Sequence, residues 1–96
     1  MQDSRDVERE LAQSLKKLAV EKPFEKITIK QIADGAGVIR VTFYNHFQDK
    51  YELLEWIITK ELLEPIEPLV QNGMVSEALV VLFSNIEKEK EFYSKP

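Results

Sequence analysis

At 96 residues, with 44% hydrophobic and 31% charged side chains, the chain has room for one domain with one modest core and is too apolar to be disordered throughout. It contains no cysteine, which excludes disulfide frameworks and thiolate metal sites, and its single histidine makes a transition-metal ligand set an improbable reading. The net charge of −4 is unevenly spread: residues 1–50 carry nine Lys/Arg against eight Asp/Glu and residues 51–96 four against nine, so a surface for an anion is expected in the first half.

Three glycines and four prolines leave long stretches free of breakers, and the fold is expected to be all-α. No apolar run approaches the length of a bilayer span, and "MQDSRDVERE" lacks the apolar core of a signal peptide, so an intracellular, soluble protein is expected. In "SRDVERELAQSLKKLAVEK", Val7, Leu11, Leu15 and Leu18, with Ala12 and Ala19 beside them, line one face of a helix. Asp3 and Ser4 are its candidate N-caps, Pro23 lies past its end, and Phe24 is free to fold back onto the core. A second, short helix is expected from Ile29 to about Asp34. Thr28 and Gln31 form a capping box before it, Ile27 and Ile32 stand where a hydrophobic staple belongs, and Gly35 and Gly37 end it.

The third helix is expected over about Arg40 to Phe47, and Asp49, boxed with Glu52, caps a fourth. That helix carries Tyr51, Leu53, Leu54, Trp56, Ile57, Ile58, Leu62 and Leu63, apolar on more than one face, and therefore requires partners on two sides. Pro65 and Pro68 end or kink it, "QNG" at 71–73 is a turn, and a fifth helix follows with Val75, Leu79, Leu82, Ile86 and Tyr93 along one stripe.

Ala33, Gly37 and Phe43 have the spacing of a helix-turn-helix unit: a small residue where helices cross, a glycine for a left-handed turn, and a bulky apolar plug. On the third helix Phe43 and Phe47 fall on one side, Val41, Thr42 and Asn45 opposite, and Tyr44 and His46 on the flanks. A buried aromatic spine with a small, polar front suits entry into a major groove, where Asn45 can pair with adenine and the methyls of Val41 and Thr42 can meet a thymine methyl.

The wording "ITIKQIADGAGVIRVTFYNHFQDKYELL" resembles the DNA-binding domain of TetR-type bacterial transcription regulators, over roughly residues 5–58. Its densest match is the cluster Thr42, Phe43, Tyr44, His46, Phe47, Asp49 and Lys50. The segment "LFSNIEKEKEFY" is similar to the first regulatory-domain helices of a TetR branch that governs dihydroxyacetone kinase operons. The resemblance implies a three-helix, homeodomain-like DNA-binding domain over residues 1–50. Residues 51–96 would then be a linking helix and part of a helical regulatory domain. It implies a repressor that binds a near-palindromic operator in double-stranded DNA as a homodimer, with a small-molecule inducer in a full-length form and with no cofactor, no metal and no membrane. Thr42, Tyr44 and His46 are then backbone contacts, as are Lys50 in the first turn of the fourth helix and Thr28 and Lys30 at the start of the second. Arg40 can reach a guanine or a phosphate.

The chain departs from the resemblance in two respects. Ile39 stands where the family often has a capping serine; isoleucine cannot cap, so the third helix must be held by packing or start one residue away. The chain also stops at Pro96, which implies either a fragment or a shortened member. Apolar residues of the last helices would then be left for a second copy to cover.

An enzyme is not expected, since His46 has no nucleophile with an orienting acid beside it and nothing shapes a pocket. The alternative that stays open is a helical protein–protein interaction module that pairs with another regulator and does not itself bind DNA.

Overall fold

The long amphipathic segment at the start of the chain forms the helix on which everything else is assembled. The computed structural model describes residues 4–94, and the first helix, α1, spans Ser4–Glu21. Asp3 lies outside the described residues, as does the side chain of Ser4. Leu11, Ala12, Leu15 and Ala19 are buried along one face, as their spacing requires, with Val7 and Leu18 half-buried at its edges. A single 3-10 turn over Phe24–Lys26 carries Phe24 back against the core, its ring 5.2 Å from that of Tyr51.

α2 runs Ile29–Ala36, two residues longer than expected. Its capping box is complete: Thr28 Oγ1 accepts from the Gln31 N–H at 3.1 Å, and Gln31 Oε1 accepts from the Thr28 N–H at 3.0 Å. Gly37 ends it in the left-handed region (φ 75°), and the turn is closed by bonds from the Gly37 N–H to Asp34 O and from the Val38 N–H to Ala33 O. α3 follows at Arg40–His46 and α4 at Lys50–Ile58. Asp49 caps α4 by accepting from the Glu52 N–H at 2.9 Å, but the expected reciprocal bond is shifted by one residue, because the Glu52 carboxylate takes the N–H of Gln48.

The second half departs further from the expectation. α4 continues into a wide π-helical turn, Thr59–Leu63, closed by the Glu64 N–H on Thr59 O at 2.8 Å. Pro68 does not merely stop a helix: it sits in the first turn of α5, Glu67–Gln71, where its missing N–H leaves no bond unmade. Gly73 (φ 71°) supplies the turn after it. The single fifth helix expected through Tyr93 is two, α6 over Val75–Lys88 and α7 over Lys90–Tyr93, with Glu89 between them outside helical geometry. The break lets Phe92 enter the core and Glu89 face α1. Among the described residues no helix is long and apolar enough to cross a membrane.

One core runs through both halves of the chain. Leu11, Leu15, Ile27, Ile32, Phe43, Leu53 and Ile57 are its largest fully buried members, and Ala12, Ala19, Phe47 and Phe92 belong to the same cluster. Burying side chains of this size contributes about 1.5–3 kcal/mol each.

Two contacts that the sequence does not announce fix how the helices cross. α2 meets α1 at Gly35, where a Cβ would collide with Ser14 Oγ, while that hydroxyl donates to Ile32 O at 2.8 Å. Further along α1, Lys16 is buried (side chain 6% exposed), and its ammonium lies 2.6 Å from Glu61 Oε2 and 2.9 Å from Glu89 Oε1. The Tyr93 hydroxyl donates to the other Glu61 oxygen at 3.0 Å. Burial alone would lower the Lys16 pKa, but the two carboxylates outweigh it and hold the ammonium above its ordinary value. Burial, then the bond to Glu61, raises the Tyr93 pKa and keeps its phenol neutral. A single buried charge thus ties the π turn and the α6–α7 break to α1.

Gly35→Ala is expected to destabilise the fold by about 1–3 kcal/mol through this clash. Adding Ser14→Ala, which removes the obstructing oxygen, should make the pair less destabilising than the sum of the single changes. Urea unfolding of the four proteins measures the coupling. Strict additivity would show that α1 and α2 do not touch there.

Candidate nucleic-acid interface

A seven-residue helix without a side-chain cap has little stability of its own. α3 is such a helix: Ile39 occupies the N-cap position in extended conformation and offers only its carbonyl, which accepts from the N–H groups of Thr42 and Phe43. The helix is therefore held from behind. Phe43 is fully buried and Phe47 nearly so, their ring centroids 5.9 Å apart, and Phe47 meets Trp56 of α4 edge to face at 6.2 Å. The start is not shifted by a residue, and packing holds it, though through Phe43 rather than Ile39.

With Phe43 and Phe47 directed inward, the opposite face is set by the helical period. Arg40, Val41, Tyr44 and Asn45 are exposed, Val41 at 63% and Tyr44 at 55%. Tyr44 rests edge to face against Phe43 (5.6 Å) while more than half of it stays exposed. Thr42 is half-buried, so the outward face is centred on Val41, Tyr44 and Asn45 rather than on Thr42. His46 turns toward α1: its Nδ1 is 3.4 Å from Glu8 Oε2, and its side chain is only 14% exposed.

Thr28 and Lys30 stand at the exposed N-terminus of α2. The Thr28 oxygen is engaged as the cap, which leaves its hydroxyl proton free to donate. Lys30 pairs with Asp34 at 2.8 Å, one turn on and well exposed, a contact of small worth that a stronger anion would displace. Lys50 lies elsewhere. Its Nζ donates to Phe24 O at 2.6 Å and Ile27 O at 2.8 Å and sits 4.6 Å from the centre of the Phe24 ring. Two of its three donors thus clamp the α1–α2 loop to the start of α4, and one remains. Of the nine residues singled out in the sequence, four are exposed on α3, two are exposed at the start of α2, and Thr42, His46 and Lys50 are partly drawn into the fold.

Sequence reasoning missed the groups that position this face: Ser14 and Gly35 at the α1–α2 crossing, and Lys16 with Glu61 and Glu89 behind it. A glycine two before the turn glycine was visible; its serine partner 21 residues upstream was not. Among the described residues no group of three or more His, Asp or Glu is placed to hold a metal ion.

Residues 13–57 match the family described as bacterial regulatory proteins, tetR family. Among curated proteins, the chain is similar to the HTH-type dhaKLM operon transcriptional activator DhaS of Lactococcus lactis subsp. lactis (strain IL1403). The two are 29% identical over 85 residues, which is 88% of this chain and 46% of that protein. The chain thus spans about half the length of the curated relative it matches.

The two faces of α3 should respond differently to truncation. Phe43→Ala, which empties a fully buried site, is expected to cost about 3–5 kcal/mol. Tyr44→Ala should cost no more than about 1 kcal/mol, the worth of one edge-to-face contact. Chemical denaturation of the two variants compares them, and equal losses would mean that Tyr44 is a core residue.

Proposed function

We propose that this chain, whose residues 13–57 match the tetR family of bacterial regulatory proteins, binds double-stranded DNA sequence-specifically and regulates transcription. Residues 1–50 act as the reading head, and residues 51–96 as its support and pairing surface. The observation that carries this reading is the contrast between a buried aromatic pair, Phe43 in α3 and Phe47 directly after it, and the exposed α3 residues Arg40, Val41, Tyr44 and Asn45. Arg40 and Asn45 have the donor and acceptor sets that read guanine and adenine edges, while the Tyr44 hydroxyl suits a phosphate oxygen. Thr28, Lys30 and the remaining donor of Lys50 supply backbone contacts beside the groove, with Thr42 and His46 at the margin.

Binding as a two-fold dimer would set two α3 helices in successive major grooves of a near-palindromic site. A pairing surface is supported by the apolar residues left outside on α6: Val75, Leu79, Val80 and Phe83 are each 47–69% exposed. An inducer in a longer form would act by changing the spacing of the two reading helices. Repression by occupying the operator is the proposed outcome. The description of the Lactococcus lactis relative as an activator favours the opposite sign, and where the bound site lies relative to a promoter decides between them.

Fluorescence anisotropy with duplexes selected by the chain from a random pool tests the reading. Affinity should fall steeply with salt, and Tyr44→Ala should weaken binding at least about ten-fold while its circular dichroism is unchanged. An interaction module would enrich no duplex, even at low salt. Sedimentation velocity at high concentration should show a dimer, and a strictly monomeric mass would remove the pairing surface from the account.

A further inference from the structure

Ile39 is the residue that the functional reading does not absorb. It stands at the N-cap of α3, where a serine, threonine, aspartate or asparagine would stabilise the helix by accepting a backbone N–H, and it cannot do so. It does not compensate by packing either, since 69% of it is exposed. A large β-branched side chain that neither caps nor packs is a local sacrifice, and such breaks with local preference concentrate at functional sites. Its surroundings give the sacrifice a direction. In the first half of the chain the exposed large hydrophobic residues among those described are Ile39, Val41 and Tyr44, and all three lie at or on the outward side of one seven-residue helix. Ile39 and Val41 flank Arg40 at the tip of α3, so an apolar pair surrounds a cation where the helix would enter a groove.

In the major groove the apolar feature that distinguishes one base from the rest is the C5-methyl group of thymine. Resting on the reading proposed above, we infer that Ile39, together with Val41, is a specificity-determining contact that selects thymine in the operator half-site through its methyl group. The contact requires no hydrogen bond and no charge. It favours thymine over cytosine at the contacted position, and it is indifferent to the phosphate contacts that dominate the salt dependence. A serine at this position would cap α3 and surrender the methyl contact, so the chain forgoes some helix stability in exchange for base discrimination.

The test uses the full chain and the duplex that it selects from a random pool, with each thymine of the half-site replaced in turn by deoxyuridine. That replacement removes one methyl group and leaves base pairing and phosphates intact. At one or two positions the substitution should weaken binding roughly three- to ten-fold, in keeping with the loss of a buried methyl. Ile39→Ser should reduce the difference between the thymine and deoxyuridine duplexes, leaving only what Val41 contributes, keep the salt slope of the parent, and melt no lower than the parent because serine restores a cap.

Selection of a thymine-containing site whose affinity is unchanged by every deoxyuridine substitution would overturn the inference while leaving the reading head intact. A deoxyuridine effect that persists undiminished in Ile39→Ser would also overturn it, by assigning the methyl to another side chain. Failure to select any duplex would overturn both the inference and the reading it rests on.

Discussion

Burial of Phe43 is the constraint on which the rest of the structure depends. α3 has seven residues, a β-branched N-cap that offers no side-chain bond, and β-branched residues at positions 41 and 42, so its helical state must be imposed by tertiary packing. Phe43 supplies that packing at zero exposure, with Phe47 below it and Trp56 behind Phe47. Once this spine is fixed, the period of the helix leaves Val41, Tyr44 and Asn45 facing outward together. The presented surface follows from the anchored one.

The anchor itself is set by how closely α1 and α2 approach. Gly35 has no side chain because Ser14 Oγ occupies the space, and Ser14 in turn bonds the backbone of α2 at Ile32. Gly37 is required for a different reason: nothing crowds its Cα, but the left-handed turn to α3 disfavours any other residue. One glycine serves contact and the other conformation, and together they set the path between the two helices. Behind them, the ammonium of Lys16 gathers Glu61 and Glu89 from parts of the chain far apart in sequence. A buried charge is an expensive joint, and its value lies more in fixing one arrangement than in raw stability. Any force that displaced the α6–α7 break would therefore be felt on α1, the helix against which α2 and α3 are set.

Much of the first half was legible because its signals are local. The Thr28–Gln31 box, the Gly37 turn and the Phe43–Phe47 period lie within a few residues of one another and appear as expected, except that Gly35 lies inside α2, which runs two residues longer, rather than ending it. What was not legible depends on residues far apart in sequence. Lys16 reads as one more charge on a solvated face until Glu61 and Glu89, 45 and 73 residues away, are brought to it. Lys50 reads as an ideal phosphate ligand, yet the carbonyls of Phe24 and Ile27 claim two of its donors. The continuous apolar stripe expected to run from Val75 to Tyr93 fails for a similar reason. Only Ala78 of α6 is buried, and Glu89 breaks the helix so that Phe92, not on the stripe, completes the core.

The central claim is that the outward face of α3 is the surface that meets DNA. The most direct measurement is amide and side-chain chemical-shift mapping by NMR of the labelled chain, titrated with a duplex it has selected. The account predicts perturbations concentrated at Thr28, Lys30 and Ile39–Asn45, with α6 unaffected apart from pairing. Perturbations centred on Val75–Phe83, with α3 silent, would contradict it.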